Sequence, residues 1–236
     1  MSATLNEIHR FSKIVQNPHE IIHTDNQTTA NLIKGDFANK SIMLGTTGVG
    51  IRNSRTQTSL IIQKLKPELI VFTGTAGALD PDLRIGDIIV VNKVISLKRN
   101  SEIEIPVNLP YLGRKYIVGS VLTENRFVND SEEKAKLYKA TGAPLVDMES
   151  WGVMEAAKQS KTRLIIIRSV SDLASDDLPK IQKFYDENAN FVYRKAFLYF
   201  ISQPGQIIKY LKFRFVYLRN STISLNNFLK ELIRKI

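Results

Sequence analysis

No cysteine occurs anywhere in the 236 residues. Disulfides are therefore excluded, and with them any thiolate metal site and any cysteine nucleophile. Histidine is scarce: His9, His19 and His23 all lie near the start, lack zinc-ligand spacing, and read as loop or surface residues. No uninterrupted apolar run approaches the ~20 residues that a membrane span needs, and no signal peptide opens the chain, so a cytoplasmic protein is expected. Acid is nearly missing from the C-terminal stretch, where Glu231 stands against Lys209, Lys212, Arg214, Arg219, Lys230, Arg234 and Lys235. Seven bases less one acid leave six of the chain's ten surplus positive charges there. The rest of the chain gives little sign of binding nucleic acid.

What is present is ordinary for a globular protein: 43% apolar and 24% charged residues, in a length that suits one large domain. Apolar positions 8, 11, 14 and 15 predict a helix over 7–15, with Asn6 as a candidate cap. Residues 16–40 read as a hairpin or irregular cover. Ser41–Leu44 is a short strand, followed by Gly45-Thr-Thr-Gly-Val-Gly50 and a helix over 54–65. Those glycines make either a phosphate cradle or a tight strand-to-helix turn, and no Lys-Ser/Thr follows to make a P-loop. Leu69–Phe72 is a buried strand that runs into the small residues Thr73-Gly-Thr-Ala-Gly77, and a turn and strand occupy 85–92. Residues 96–115 form a polar excursion, with a strand over 116–122 and a helix around Glu132, Glu133, Lys134 and Lys136 beyond it.

Two apolar runs then end in acids: Leu145-Val146 in Asp147-Met148-Glu149, and Leu164–Ile167 in Arg168 and Ser171-Asp172. Open α/β sheets bind ligands at such strand ends. The alternation predicts a three-layer α/β/α domain over 1–203, with a central mixed, mostly parallel twisted sheet. A helix is expected over 186–201. Beyond Pro204-Gly205, a basic amphipathic helical tail over 204–236 either packs on the domain or a partner subunit, or touches the inner face of a membrane.

Taken together, Gly48-Val-Gly50, Thr73–Gly77 with Gly86-Asp87, Val146-Asp-Met-Glu149 and Arg168-x-x-Ser-Asp172 resemble the purine nucleoside phosphorylase and nucleosidase superfamily. The nearest branches are 5′-methylthioadenosine/S-adenosylhomocysteine nucleosidases and hopanoid-associated nucleoside phosphorylases. The resemblance spans about residues 3 to 200 and implies cleavage of the N-glycosidic bond of an adenine nucleoside. It makes Asp172 the acid that protonates the purine, with Arg168 and Ser171 positioning it, and makes Glu149 the ribose ligand with Met148 against the sugar. Glu7 becomes the base for water. Phe127 would stack on the purine, Val128 would present backbone groups to its edge, and Thr75, Ala76 and Gly77 would line the floor. No metal or cofactor is implied, and a homodimer is.

The chain departs from that pattern in two places. The family's first strand is absent, since only two residues precede Ala3. Thr73 stands where phosphorylases carry a phosphate-binding arginine, leaving Arg52 and Arg55 as substitutes. Water is thus the expected acceptor; the alternative is phosphorolysis of a purine or adenosyl-lipid nucleoside. A non-catalytic nucleoside-binding protein is the reading from another class.

Overall fold

The computed structural model describes residues 1–25, 28–179 and 199–236. The chain begins with α1 (Leu5–Ser12) and continues through three antiparallel strands, β1 (Gln16–Asp25), β2 (Thr28–Phe37) and β3 (Lys40–Gly45). After α2 (Ile51–Leu65) come β4 (Leu69–Ala78), β5 (Ile88–Ser96), β6 (Ser101–Glu104), β7 (Ile117–Thr123), α3 (Ser131–Thr141), β8 (Leu145–Asp147), α4 (Ser150–Gln159) and β9 (Arg163–Asp172). The C-terminus is helical: α5 (Gly205–Leu211), a π-helical stretch (Lys212–Tyr217) and α6 (Leu218–Lys235). The helix expected at 186–201 lies, apart from its last three residues, outside the described residues.

The main sheet is mixed and runs β6-β5-β7-β8-β4-β9, and a further β5–β9 pairing curls it into a partial barrel. β4 and β9 lie side by side in parallel, from Leu69 opposite Arg163 to Ala76 opposite Val170. Their apolar centres, Ile70 and Phe72 on β4 and Ile166 and Ile167 on β9, are buried, as expected of strands covered on both faces. A register shift between Ala76 and Gly77 then places Gly77 opposite Asp172. Such irregularities re-aim side chains, and here the strand ends turn toward one cavity.

Three expectations need correction. The small residues Thr73–Gly77 do not form a loop; they continue β4, paired with β9 along their length and with β8 at Gly77. The polar excursion contains β6, hydrogen-bonded to β5. The first helix begins at Leu5 with Thr4, not Asn6, at its N-cap.

The first two residues bridge the two sheets. Met1 donates its amino group to Val71 O at 2.8 Å and accepts from Thr73 N at 2.8 Å, which ties it to β4. Ser2 donates to Gly45 O at 3.1 Å and accepts from Thr47 N at 2.8 Å, which ties it to the end of β3. This stub joins the small sheet to the large one, and directly after it the chain enters α1.

α6 belongs to the core. Leu225, Phe228, Leu229 and Leu232 are buried in a cluster with Ile8 and Phe11 of α1, Val90 of β5 and Ile167 of β9. Their spacing is one face of a helix, so the apolar stripe of the C-terminus is spent inside the molecule. Among the described residues no helix is long and apolar enough to cross a membrane.

Candidate active site

A cavity of about 840 Å³ opens where β4, β8 and β9 end. Thr75, Ala76, Gly77, Phe127, Val128, Met148, Glu149, Ser171 and Asp172 all line it, together with Glu7 from α1. Of the residues expected at the site, Arg168 alone is not among its lining.

Asp172 closes β9 and is 1% exposed. Its Oδ1 accepts from Ser171 Oγ at 2.7 Å. Its Oδ2 accepts from Lys134 Nζ at 2.6 Å, and that lysine is 0% exposed. The same ammonium reaches Leu173 O at 2.7 Å and Asp176 O at 3.4 Å. Three acceptors thus match the three N–H protons of this side chain. Gly77 makes room beside this pair: a Cβ there would sit 2.9 Å from Asp172 Oδ2.

Lys134 was read from sequence only as part of a charged helix. A signal was present, because Lys134, Leu137 and Tyr138 share the i, i+3, i+4 face that α3 turns inward.

Arg168 does not hold Asp172. Its Nε donates to Asp147 Oδ2 at 2.8 Å, its Nη2 donates to Ser150 Oγ at 3.0 Å, and its guanidinium lies 4.3 Å from the centre of the Phe72 ring. Asp147 also accepts from Thr123 Oγ1 at 2.9 Å and from Ser150 N at 3.3 Å. Arg168 thus anchors the base of the Asp-Met-Glu segment rather than its neighbour on β9. The buried charge is tolerated because it is paired and hydrogen-bonded on several sides.

Glu149 follows Met148 at the N-cap of α4. Its Oε1 accepts from Gly50 N at 2.9 Å, so the glycine-rich turn binds this carboxyl and α2 is fixed to the site. Gly50 takes φ +90°, a conformation that a side chain would strain. Burial first, then the Asp147 carboxylate, pushes the Glu149 carboxyl up to about 8, while the Arg168 guanidinium and the Gly50 N–H pull the other way.

Glu7 bridges two elements. Its Oε2 accepts from Thr4 N at 3.1 Å, closing the first turn of α1, and its Oε1 accepts from Thr75 N at 2.8 Å. A Cβ on Gly74 would come within 2.7 Å of Glu7 Oε1, so glycine lets the helix approach β4.

Residues of the C-terminal helices complete the wall, among them Phe213, Leu218, Arg219 and Asn226. Phe213 lies 6.3 Å from Phe127, ring centre to ring centre. Nothing in the spacing of residues 204–236 ties these helices to the strand-end motifs, so their part in the cavity was not legible in the sequence. Phe184, a loose candidate for contact with the 5′-substituent, lies outside the described residues. Arg52 and Arg55 line a second cavity of about 710 Å³ with Lys98 and Arg99, away from Asp172 and Glu149. Arg55 and Arg99 pair there with Glu155, at 3.7 and 2.9 Å.

The family model described as the phosphorylase superfamily matches residues 1–196. The 5′-methylthioadenosine/S-adenosylhomocysteine nucleosidase of Staphylococcus epidermidis is 31% identical over 180 residues, which is 66% of this chain and 79% of that protein. A Borrelia burgdorferi protein solved with adenine bound superposes with a TM-score of 0.73 at 25% identity, over 99% of this chain and 97% of the other. The Campylobacter jejuni nucleosidase structure gives 0.72 at 20% identity, covering 100% and 97%. With its glycine-floored cavity, strand-end acids and these relatives, the chain belongs to the phosphorylase superfamily of nucleoside-cleaving enzymes.

Proposed function

We propose that this protein hydrolyses the N-glycosidic bond of an adenine nucleoside of the methylthioadenosine or adenosylhomocysteine type. The observation that carries this reading is the meeting of Asp172, Glu149 and Glu7 around one cavity whose floor, Thr75 to Gly77, has no bulky side chain. The purine lies on that floor against Phe127 and beside Val128. The ribose sits by Met148, with its hydroxyls on Glu149.

As the bond from C1′ to the purine nitrogen breaks, its electron pair goes to the base, which leaves as a neutral molecule once N7 takes a proton. The Lys134–Asp172 pair, rather than Asp172 alone, is the acid: Asp172 passes the proton on and Lys134 Nζ supplies it. Positive charge meanwhile grows on the sugar, and the Glu149 carboxylate holds the hydroxyls more strongly as it does. Water adds to C1′ and gives its proton to Glu7. Arg168 acts at one remove, by fixing Asp147 below Met148 and Glu149.

Water is favoured over phosphate because Arg52 and Arg55, the substitutes for the phosphorylase arginine, line the other cavity. Adenine release from methylthioadenosine should proceed without phosphate; a strict requirement for phosphate overturns hydrolysis. Nucleoside binding with no adenine release from any adenosyl compound makes this a binding protein instead. The same reading carries a homodimer, to be checked by light scattering.

A further inference from the structure

The second cavity, of about 710 Å³, takes no part in the chemistry above, yet its lining is one-sided in charge. Arg52 and Arg55 of α2 and Lys98 and Arg99 of the β5–β6 turn all line it, and no acidic residue does. Like charges gathered in one hollow repel one another, and an anion between them offsets that repulsion.

The four cations are held differently. Glu155, outside the lining, pairs with Arg99 at 2.9 Å and with Arg55 at 3.7 Å, and the Arg99 guanidinium lies 5.6 Å from the centre of the Trp151 ring. These contacts orient two guanidinium groups and leave N–H donors over, since each carries five. Arg52 and Lys98 form no ion pair among the described residues. The first turn of α2 carries Arg52 and no acid, the reverse of what the positive end of a helix dipole favours. An anion beside that turn compensates both charges.

Ser96, the last residue of β5, is the independent pointer to a ligand. It lines the cavity, is 1% exposed, and its Oγ has no hydrogen-bond partner among the described residues. Buried polar atoms are nearly always paired, and a hydroxyl can donate to an anionic oxygen. Thr56, Ser59 and Gln63 add further hydroxyl and amide groups to the lining, and the volume is that of a small-molecule site.

We propose that this cavity binds a phosphate group, as inorganic phosphate or as the monoester of a small polyhydroxy compound, held as a ligand and not as a reactant. Phosphate suits the site because its oxygens match the forked donors of guanidinium and its double charge engages more than one cation. The site stands apart from Asp172 and Glu149, so it is tested by binding, and the outcome is independent of the nucleosidase reading.

Isothermal titration calorimetry on the full chain, at low and fixed ionic strength, compares inorganic phosphate, ribose 5-phosphate and acetate. At least one of the two phosphates should bind and acetate should not, and the tighter phosphate identifies the source. The double variant Arg52→Gln, Lys98→Gln, at two exposed positions, should weaken that binding about tenfold, the loss of two partly exposed charge contacts. Ser96→Ala should weaken it as well and leave the melting temperature unchanged, because an unpaired buried hydroxyl does not stabilise the fold. No binding of either phosphate, equal binding of acetate, or an affinity unmoved by these variants overturns the site. So does binding that is lost instead in Arg214→Gln, Arg219→Gln, which would place the phosphate in the first cavity.

Discussion

Asp172 and Glu149 carry carboxyl groups into the same cavity, yet their surroundings differ in kind. Asp172 has a buried ammonium at 2.6 Å, and Glu149 has a backbone N–H, a neighbouring carboxylate and little water. That difference separates their tasks, and each can be measured. Lys134→Gln keeps a donor near Asp172 but removes the charge and the transferable proton. It should lower kcat on an adenine nucleoside by about 10²- to 10⁴-fold, the usual worth of positioned acid catalysis. A 4-nitrophenyl riboside, whose leaving group needs no proton, should be cleaved nearly as fast by the variant as by the wild type. Equal losses on both substrates would show that Lys134 only supports the fold. For Glu149, the ionised carboxyl is the form that accepts from both ribose hydroxyls. With the group raised to about 8, kcat/KM should climb with pH and level off above that value, and Glu149→Gln should lose the climb. A flat profile between pH 6 and 9 contradicts this role. Both acids were legible as strand-end residues, since their motifs sit at the ends of apolar runs. The partner of Arg168 was misassigned, because nothing in the spacing of 147, 150 and 168 tells which strand end a guanidinium will reach.

At the level of elements, the C-terminal helix carries more than its composition suggests. The apolar and basic residues that alternate from Ile207 to Leu218 leave open whether the segment packs on the domain, on a partner subunit or on a membrane. The stripe at 225, 228, 229 and 232 was equally legible, and it is this stripe that packs on α1, β5 and β9. Phe228→Ala should cost about 3–5 kcal/mol, as for other large aromatic deletions in a core. Chemical denaturation of the variant checks it; a loss below about 1 kcal/mol, the scale of surface substitutions, would mean that α6 is peripheral. β4 was shortened in the reading for the opposite reason. Glycine and alanine weaken a strand signal, and pairing with β9 along Thr73–Gly77, joined by β8 at Gly77 and Ala78, keeps the segment extended.

Over the whole molecule, the site is assembled from α1, β4, β8, β9 and α6, which are distant in sequence and meet because the sheet curls until β5 pairs with β9. Strand-and-helix alternation made the α/β class legible, but closure depends on twist and register that no local pattern encodes. The assembly has a thermodynamic consequence. Glu149 is raised from 4.5 to about 8 on folding, so its contribution to stability is fully present below pH 4.5 and is lost as pH rises through 8. The melting temperature should therefore fall between about pH 5 and 8, and Glu149→Gln should flatten that fall and be the more stable protein at pH 8.5. An unchanged slope in the variant would place the titration elsewhere.

The most direct test of the central claim is adenine release from methylthioadenosine in phosphate-free buffer, by the wild type and by Asp172→Asn at equal concentration and verified fold. The account predicts release by the wild type and a rate lower by about 10²-fold or more in the variant. Release that needs phosphate, or that is unaffected by Asp172→Asn, contradicts it.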